Sequence, residues 1–139
     1  MMGDALAASG VIKLISESAF GAVTHWPWPV AAAAIVIGYL YVHYGFASMT
    51  AQVTALYPTF LAAGLAAGAP PMFVALALAF FSNLDAGLTH YGTGSAPVFF
   101  GAGYVSQAAW WRFGFIISLV NVIVWLGIGP LWWRLLGLW

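Results

Sequence analysis

The sequence predicts an all-α integral membrane protein built from a re-entrant helical hairpin, a discontinuous transmembrane helix and one terminal transmembrane span. Its 139 residues are 64% hydrophobic and only 4% charged, with a mean hydropathy of +0.99. Soluble domains carry about 25% charged residues, so lipid rather than water is the expected solvent. Two apolar stretches are interrupted by short polar breaks, and the last stretch is long enough to cross a bilayer. These observations together predict the architecture.

The few charged residues exclude several classes of protein. Three basic and three acidic residues give a net charge of zero, so no nucleic acid partner is expected. The absence of cysteine excludes disulfides and thiolate metal sites. Lys13, Arg112 and Arg134 are typical of anchors at the membrane interface, whereas Asp85 alone lies deep in an apolar region.

The first predicted element is an interface helix over residues 4–20. Leu6, Val11, Ile15 and Phe20 recur there at roughly helical spacing, with polar residues between them. The sequence WPWP at residues 26–29 then ends the helix and supplies tryptophans suited to the headgroup level.

The second element is a re-entrant hairpin over residues 30–67. Its two apolar arms, Val30 to Phe46 and Val53 to Ala67, flank a short tip that contains Ser48, Thr50 and Gln52 but no charge. A loop that reaches bulk water would be longer and more polar. We therefore expect the tip to stay inside the protein, where non-helical backbone is tolerated at membrane depth.

The third element is a broken transmembrane helix over residues 70–105. Its first half, Pro70 to Phe81, would rise only about 18 Å, which is too short to cross a bilayer. The Gly-, Ser- and Thr-rich segment Ser82 to Pro97 separates it from a second short apolar piece that reaches Val105. Two half-length helices around such a break are typical of a discontinuous transmembrane helix.

The last element is a complete transmembrane helix over residues 110–136. Phe113 to Trp133 supplies 21 residues with Asn121 as the main polar interruption, and tryptophans mark both ends.

The two breaks carry the candidate binding residues. Each break contains two hydroxyl residues separated by a single residue. They are Ser48 and Thr50 at the tip, and Thr93 and Ser95, on either side of Gly94, in the broken helix. Helix N-termini follow both breaks, so N–H donors could meet an anion while carbonyls and hydroxyls hold a sodium ion. The alternative interpretation is that these small residues merely allow close helix packing.

Three ionisable residues lie beside the breaks. His43 is expected to be a hydrogen-bonding neighbour of the tip, and Asp85 is either part of a sodium or proton site or a hydrogen-bonded carboxylate.

A different class of protein remains open: a membrane anchor subunit that ligates haem through His43 and His90. Glycines 45 and 92, two residues beyond each histidine, disfavour the intact helices that haem ligation needs. A purely structural membrane peptide is the third hypothesis.

Three segments resemble the C-terminal part of the divalent anion:sodium symporter family, near its bacterial anion permeases and plastid 2-oxoglutarate/malate translocators. They are HYGFASMTAQVTALYP at 43–58, SNLDAGLTHYGTGSAPVFFGAGYVSQAAWWRFGF at 82–115 and LWWRLLGLW at 131–139. The resemblance implies half of an inverted-repeat transporter, each repeat having a re-entrant hairpin and a broken helix. It also implies that the chain lacks the first repeat and does not transport by itself.

The resemblance also implies roles for individual residues. Ser48-Met49-Thr50 matches the family's Ser-Asn-Thr tip, with Met49 where many members have asparagine, and Thr93-Gly94-Ser95 falls at the family's Thr-Pro-Pro break. The implied substrate-binding residues are Ser48, Thr50, Thr93, Gly94 and Ser95, and the implied sodium ligands are Ser48, Thr50, Gly92 and Thr93.

The function that the resemblance implies is transport, not an enzymatic reaction. The expected substrate is a di- or tricarboxylate, or a similar divalent anion such as sulfate, moved by sodium symport or by antiport. No cofactor is expected besides sodium as the coupling ion. The expected partners are the lipid bilayer, the missing N-terminal repeat and a second copy in a homodimer, in a multi-pass protein of the bacterial inner membrane.

Overall fold

The computed structural model describes Gly21 and residues 23–138, and every regular element among them is helical. The interface helix predicted over residues 4–20 lies outside the described residues. The elements in chain order are a 3₁₀ turn Val23–His25, α1 Trp28–Val42, a 3₁₀ turn His43–Gly45, α2 Met49–Ala66, α3 Pro71–Leu84, a 3₁₀ turn Asp85–Gly87, α4 Ala96–Gly101, α5 Gln107–Ile123, a π-helical segment Val124–Ile128 and α6 Gly129–Leu135.

Proline and serine set where the helices begin. Pro29 lies in the first turn of α1 and Pro71 opens α3, positions at which a missing N–H costs no helical hydrogen bond. Ser48 precedes α2 in an extended conformation, and its Oγ accepts a hydrogen bond from the Ala51 N–H at 3.4 Å. Ser106 caps α5 in the same way through the Ala109 N–H.

The first three helices pack side by side, with α1 parallel to α3 and α2 antiparallel to both. Trp28 at the start of α1 contacts Phe73 at the start of α3, and the Tyr39 hydroxyl lies 2.8 Å from Ser82 Oγ near their ends. In α2, the Tyr57 hydroxyl donates to the Ala75 carbonyl at 3.0 Å. The last turns of α1 and α3 and the first turn of α2 therefore meet at one end of the bundle, which we call the shared end.

The last helix runs continuously from α5 through the π-helical segment into α6. Trp125 stacks on Phe80 and Trp133 contacts Phe73, so this helix runs antiparallel to α3. Near the shared end it passes close to the turn after α3: a Cβ at Gly114 would lie 2.6 Å from the Gly87 carbonyl oxygen. The close approach therefore depends on glycine at this position.

Two of the described helices are long and apolar enough to cross a membrane: Trp28–Gly45 with 18 residues and Gln107–Leu135 with 29 residues. Pro71–Gly87 is a shorter apolar helix. The outward face of the last helix exposes large apolar side chains, among them Phe113, Ile117, Ile123 and Leu131. The prediction of an all-helical architecture is confirmed for the described residues. The π-helical segment was not predicted.

Candidate functional site

The tip between α1 and α2 is a short non-helical segment at the shared end. Phe46 and Ser48 are both extended, which turns the chain between the two arms. Ser48 and Thr50 are exposed, and the Thr50 carbonyl accepts a hydrogen bond from Thr54 Oγ1 at 2.8 Å. Because Thr50 is exposed, its side chain is accessible to a ligand at the tip.

The break after α3 is longer and has its own internal hydrogen bonds. Thr93 Oγ1 accepts from the Ala96 N–H at 3.1 Å, at the start of α4, and lies 3.3 Å from Ser95 Oγ. Thr93 is half-buried, whereas Gly94 and Ser95 are exposed. The structure thus brings Thr93 and Ser95 together as a pair of hydroxyls at a helix start.

Residues that flank the tip and the break hold the two segments against each other. The Tyr91 hydroxyl donates to the Tyr44 carbonyl at 2.8 Å. Gly92 is buried against His43, because a Cβ there would overlap the ring at Nε2. Within the described residues, no hydrogen bond links Ser48 or Thr50 to the hydroxyl pair of the break. The two predicted sets share one end of the bundle without direct contact.

A groove of about 390 Å³ leads from the tip along the faces of α2 and α3. It is lined by residues of both helices, with Thr50 at the tip end: Met49, Thr50, Val53, Thr54, Tyr57, Ala79, Ser82 and Asn83. Sequence reasoning missed Ser82 and Asn83 as lining residues, although both open the polar segment after the apolar run of α3.

Beneath the tip lies a buried polar network centred on His43. Its Nδ1 is 2.5 Å from Gln52 Oε1, and Gln52 Nε2 donates to the Tyr39 carbonyl at 2.9 Å. Asp85 Oδ2 lies 3.6 Å from the same Nδ1. The expected position of His43 as a neighbour of the tip agrees with this geometry. Gln52 was predicted as a polar residue of the tip, but its hydrogen bonds to His43 and Tyr39 were not predicted.

Four buried polar atoms near this network have no hydrogen-bond partner among the described residues. They are His43 Nε2, both carboxylate oxygens of Asp85 and Thr89 Oγ1. The side chains that carry them are completely buried, and Asp85 is the single acidic residue of the described part of the chain. Buried polar atoms are rarely left unpaired, so each of these requires an explanation.

The two histidines do not present a haem site. His43 opens a 3₁₀ turn with its ring packed between Gln52 and Gly92. His90 lies in the break, and its Nδ1 accepts a hydrogen bond from Trp111 Nε1 at 3.0 Å. Neither imidazole is on an intact helix with a free ring nitrogen directed at an open cavity, so the geometry does not favour haem ligation.

Comparisons with known proteins point to transport. The family description "Sodium:sulfate symporter transmembrane region" matches residues 1–139. The chain is 53% identical over 112 residues to dicarboxylate transporter 1, chloroplastic, of Arabidopsis thaliana, which covers 81% of this chain and 20% of that protein. It is 50% identical over 139 residues to the putative malate transporter YflS of Bacillus subtilis, covering 100% of this chain and 29% of that protein.

A more distant relative is the inner membrane protein YbhI of Escherichia coli, 36% identical over 110 residues, which are 79% of this chain. The chain therefore spans between 20% and 29% of the length of these curated relatives. The comparisons give no support to a haem-binding anchor, and they agree with an integral membrane protein.

Proposed function

We propose, from the premise that this chain belongs to the sodium:sulfate symporter transmembrane family, that it forms the C-terminal half of a secondary transporter. The substrate is a di- or tricarboxylate, or a similar divalent anion such as sulfate. Two relatives carry the names dicarboxylate transporter and putative malate transporter, which favours a dicarboxylate such as malate.

The observation that carries the proposal is the position of both breaks at one end of the bundle. Because α1 and α3 are parallel, the tip after α1 and the break after α3 lie side by side, and Tyr91 and Gly92 fasten them. Helices begin directly after each, so N–H donors and positive dipole ends accompany the hydroxyls. A carboxylate needs such donors when it leaves water.

The arms α1 and α2 act as a re-entrant hairpin in this proposal, and α3 with α4 acts as the broken helix. The supporting observation is that the buried His43, Gln52 and Asp85 lie close together at the shared end, where α1 and α3 end and α2 begins. Such polar groups are costly against lipid but are expected next to a site within the protein.

The proposed residue roles follow the two breaks. Ser48 and Thr50 at the tip, with Thr93, Gly94 and Ser95 at the break, bind the substrate. Ser48, Thr50, Gly92 and Thr93 hold sodium through hydroxyl and carbonyl oxygens. Coupling is either sodium symport or exchange of one carboxylate for another.

The remainder of the substrate site comes from an N-terminal repeat. The supporting observation is that this chain covers only 20% to 29% of the length of the relatives named above. The assembly is a homodimer in the inner membrane of a bacterium. The Arabidopsis relative differs in location, because it is chloroplastic.

The proposal is tested in a chimera in which residues 1–139 replace the matching 29% of the Bacillus relative, which we call the joined protein. The measurement is malate uptake. Thr50→Ala and Thr93→Ala are each expected to lower kcat/KM about 10- to 100-fold, since hydrogen bonds to a charged ligand contribute about 1.5–3 kcal/mol. Thr59→Ala, the same change further along α2, is the matched control.

The experiment separates the alternatives for the site and for coupling. Equal uptake by all three variants would remove the substrate site from the two breaks. Uptake driven by an inward sodium gradient indicates symport, whereas uptake that requires malate inside the vesicles indicates exchange.

A further inference from the structure

The break after α3 is a non-helical segment that carries a proposed substrate ligand. Residues 88–95 form bends and turns between the 3₁₀ turn that follows α3 and the start of α4. A segment without a helical hydrogen-bond ladder depends on side-chain contacts for its position. Thr93 lies in this segment, so the contacts that hold the segment also determine where the Thr93 hydroxyl lies.

Two neighbouring residues fasten the break to two different elements. The Tyr91 hydroxyl donates to the Tyr44 carbonyl at 2.8 Å, which joins the break to the turn before the tip. His90 Nδ1 accepts a hydrogen bond from Trp111 Nε1 at 3.0 Å, which joins the break to α5. Thr93 follows His90 by three residues, so a movement of His90 is passed on through a short length of chain.

The His90 ring also contacts the helix that follows the break. Its centroid lies 4.5 Å from that of Phe100 in α4 and 5.0 Å from that of Tyr91. The Tyr91 ring in turn contacts Trp111, with centroids 6.4 Å apart. Aromatic pairs at these separations attract each other beyond the area that they bury. His90 therefore connects the residues before Thr93 to both α4 and α5.

The hydrogen bond from Trp111 assigns a role to each ring nitrogen of His90. An indole N–H only donates, so Nδ1 is the unprotonated acceptor and the neutral ring carries its hydrogen on Nε2. Asparagine can replace this acceptor, because its Oδ1 is the same number of bonds from Cα as Nδ1 of histidine. Leucine has a similar branched shape but offers no acceptor. The two substitutions therefore separate the hydrogen bond from the bulk of the side chain.

We propose that His90 is a positioning residue for the substrate site. By accepting from Trp111 it ties the break to α5 and sets where the Thr93 hydroxyl meets the anion. The half-buried His90 ring does not touch the anion itself. This inference rests on the proposed function, because it takes Thr93 as a substrate ligand. Small displacements matter for such a ligand, since a misplacement of about 1 Å can cost about 100-fold in a rate.

The position of the break is measured first, without transport. A nitroxide spin label is attached to Gly94→Cys in the purified 139-residue chain in nanodiscs, and no native cysteine competes. Gly94 is exposed and a Cβ there would meet nothing within 4 Å, so the break can accept the label. His90→Leu and Trp111→Phe are each expected to narrow the label's spectrum, because the break moves more freely. His90→Asn is expected to keep the spectrum of the wild-type chain.

Malate uptake by the joined protein then measures the effect on the substrate site. His90→Leu and Trp111→Phe are each expected to raise KM about tenfold and to change kcat less than about twofold, because a displaced ligand weakens uniform binding. The double variant should be no worse than either single variant, since both remove the same bond. His90→Asn should keep KM within about threefold of the wild-type value, because the acceptor is retained.

Two matched substitutions control for the change in side-chain shape. His25→Leu alters an exposed histidine in the 3₁₀ turn before α1. Trp110→Phe alters the neighbouring indole of α5, whose ring contacts Phe100 with centroids 6.1 Å apart. Neither change removes the bond between His90 and Trp111, so both should leave the label spectrum and KM near their wild-type values.

Three results would overturn the proposal. A spectrum unchanged by His90→Leu and Trp111→Phe would mean that the bond does not hold the break. A narrowed spectrum with an unchanged KM would mean that the position of the break does not matter to the substrate. Equal effects of His90→Asn and His90→Leu would assign the role to the ring rather than to its acceptor.

Failure of the proposed function would be recognised separately. The wild-type joined protein would then take up no malate, or Thr93→Ala would leave its uptake unchanged, while the label spectra still reported on the bond between His90 and Trp111. Either result would remove the substrate site from the break, and the positioning role of His90 with it.

Discussion

Gln52 shows how one buried side chain joins the two arms of the hairpin. Its carbonyl oxygen pairs with His43 across the tip and its amide nitrogen donates to the Tyr39 carbonyl in the other arm. Both bonds are fully buried, so removal of the amide would leave His43 Nδ1 without a partner. In a buried site an unmade hydrogen bond costs more than the bond itself contributes.

We therefore expect Gln52→Ala to lower the free energy of unfolding by about 2–4 kcal/mol. The measurement is chemical denaturation in detergent micelles, followed by tryptophan fluorescence. Gln107→Ala removes the same amide from an exposed position at the start of α5 and should change stability little. Similar losses in the two variants would show that the network does not stabilise the fold.

Single residues also mark what the sequence could and could not predict at the site. Thr93 was singled out because it and Ser95 form a pair of hydroxyls at a break between apolar helices, and because it falls at the family's Thr-Pro-Pro break. The partnership of His43 with Gln52 was not predicted, since it depends on where the tip reverses the chain. Asp85 was left open between two roles, and its distance from His43 follows only from the packing of α1 against α3.

At the level of helices, apolar runs and prolines predicted most of the boundaries. α3 begins at Pro71, where the missing N–H is tolerated, and extends to Leu84 beyond the apolar run. α5 begins at Gln107, before the apolar run starts, because Ser106 caps it. The π-helical segment Val124–Ile128 has no distinct apolar pattern, and the sequence gives no signal for it.

Gly114 determines how closely α5 approaches the turn after α3. A Cβ there would lie 2.6 Å from the Gly87 carbonyl oxygen and 3.0 Å from that of Leu88, and neither backbone atom can rotate away. We expect Gly114→Ala to destabilise the chain by about 1–3 kcal/mol through overpacking.

Gly127→Ala is the matched control in the same long helix. A Cβ at Gly127 would meet nothing within 4 Å, and alanine favours helix by up to about 1 kcal/mol over glycine. Opposite shifts of the unfolding midpoint are therefore expected from the same substitution in the same assay. A destabilisation by Gly127→Ala equal to that by Gly114→Ala would contradict the close contact.

The hairpin makes a prediction about accessibility from the two sides of the membrane. The chain has no native cysteine, so single cysteines introduced at Trp26, Met49 and Ala67 can be labelled without background. We expect the first and last positions to react with an impermeant reagent from the same side. The experiment uses the joined protein. Met49→Cys should react slowly from the opposite side, because the tip is expected to lie inside the protein.

Rapid labelling of Met49→Cys from the side opposite to the two ends would indicate two ordinary spans instead. The same experiment on Val105→Cys, in the exposed segment between α4 and α5, provides the rate of an open loop for comparison.

For the whole molecule, the most informative feature is a shared polar end on an otherwise apolar bundle. The last helix exposes most of its large apolar side chains, which suits lipid or further helices of the same transporter. The sequence predicted the helices and the breaks. It could not predict that α1 and α3 are parallel, because that arrangement depends on contacts such as Tyr39 with Ser82 between residues far apart in the chain.

A dicarboxylate carries two negative charges that must both be met when it leaves water. Each half-helix terminus supplies about half an elementary charge, so two breaks offset only part of the load. Because the chain spans 29% of the length of the Bacillus relative, we expect the rest of the site to come from the other part of such a protein.

The most direct test compares uptake of labelled malate into two sets of proteoliposomes, one holding only the 139-residue chain and one holding the joined protein. Equal amounts of inserted protein are confirmed before uptake is measured. We expect saturable uptake by the joined protein and none above empty liposomes by the chain alone. Saturable uptake by the 139 residues alone would contradict the account of this chain as one half of a transporter.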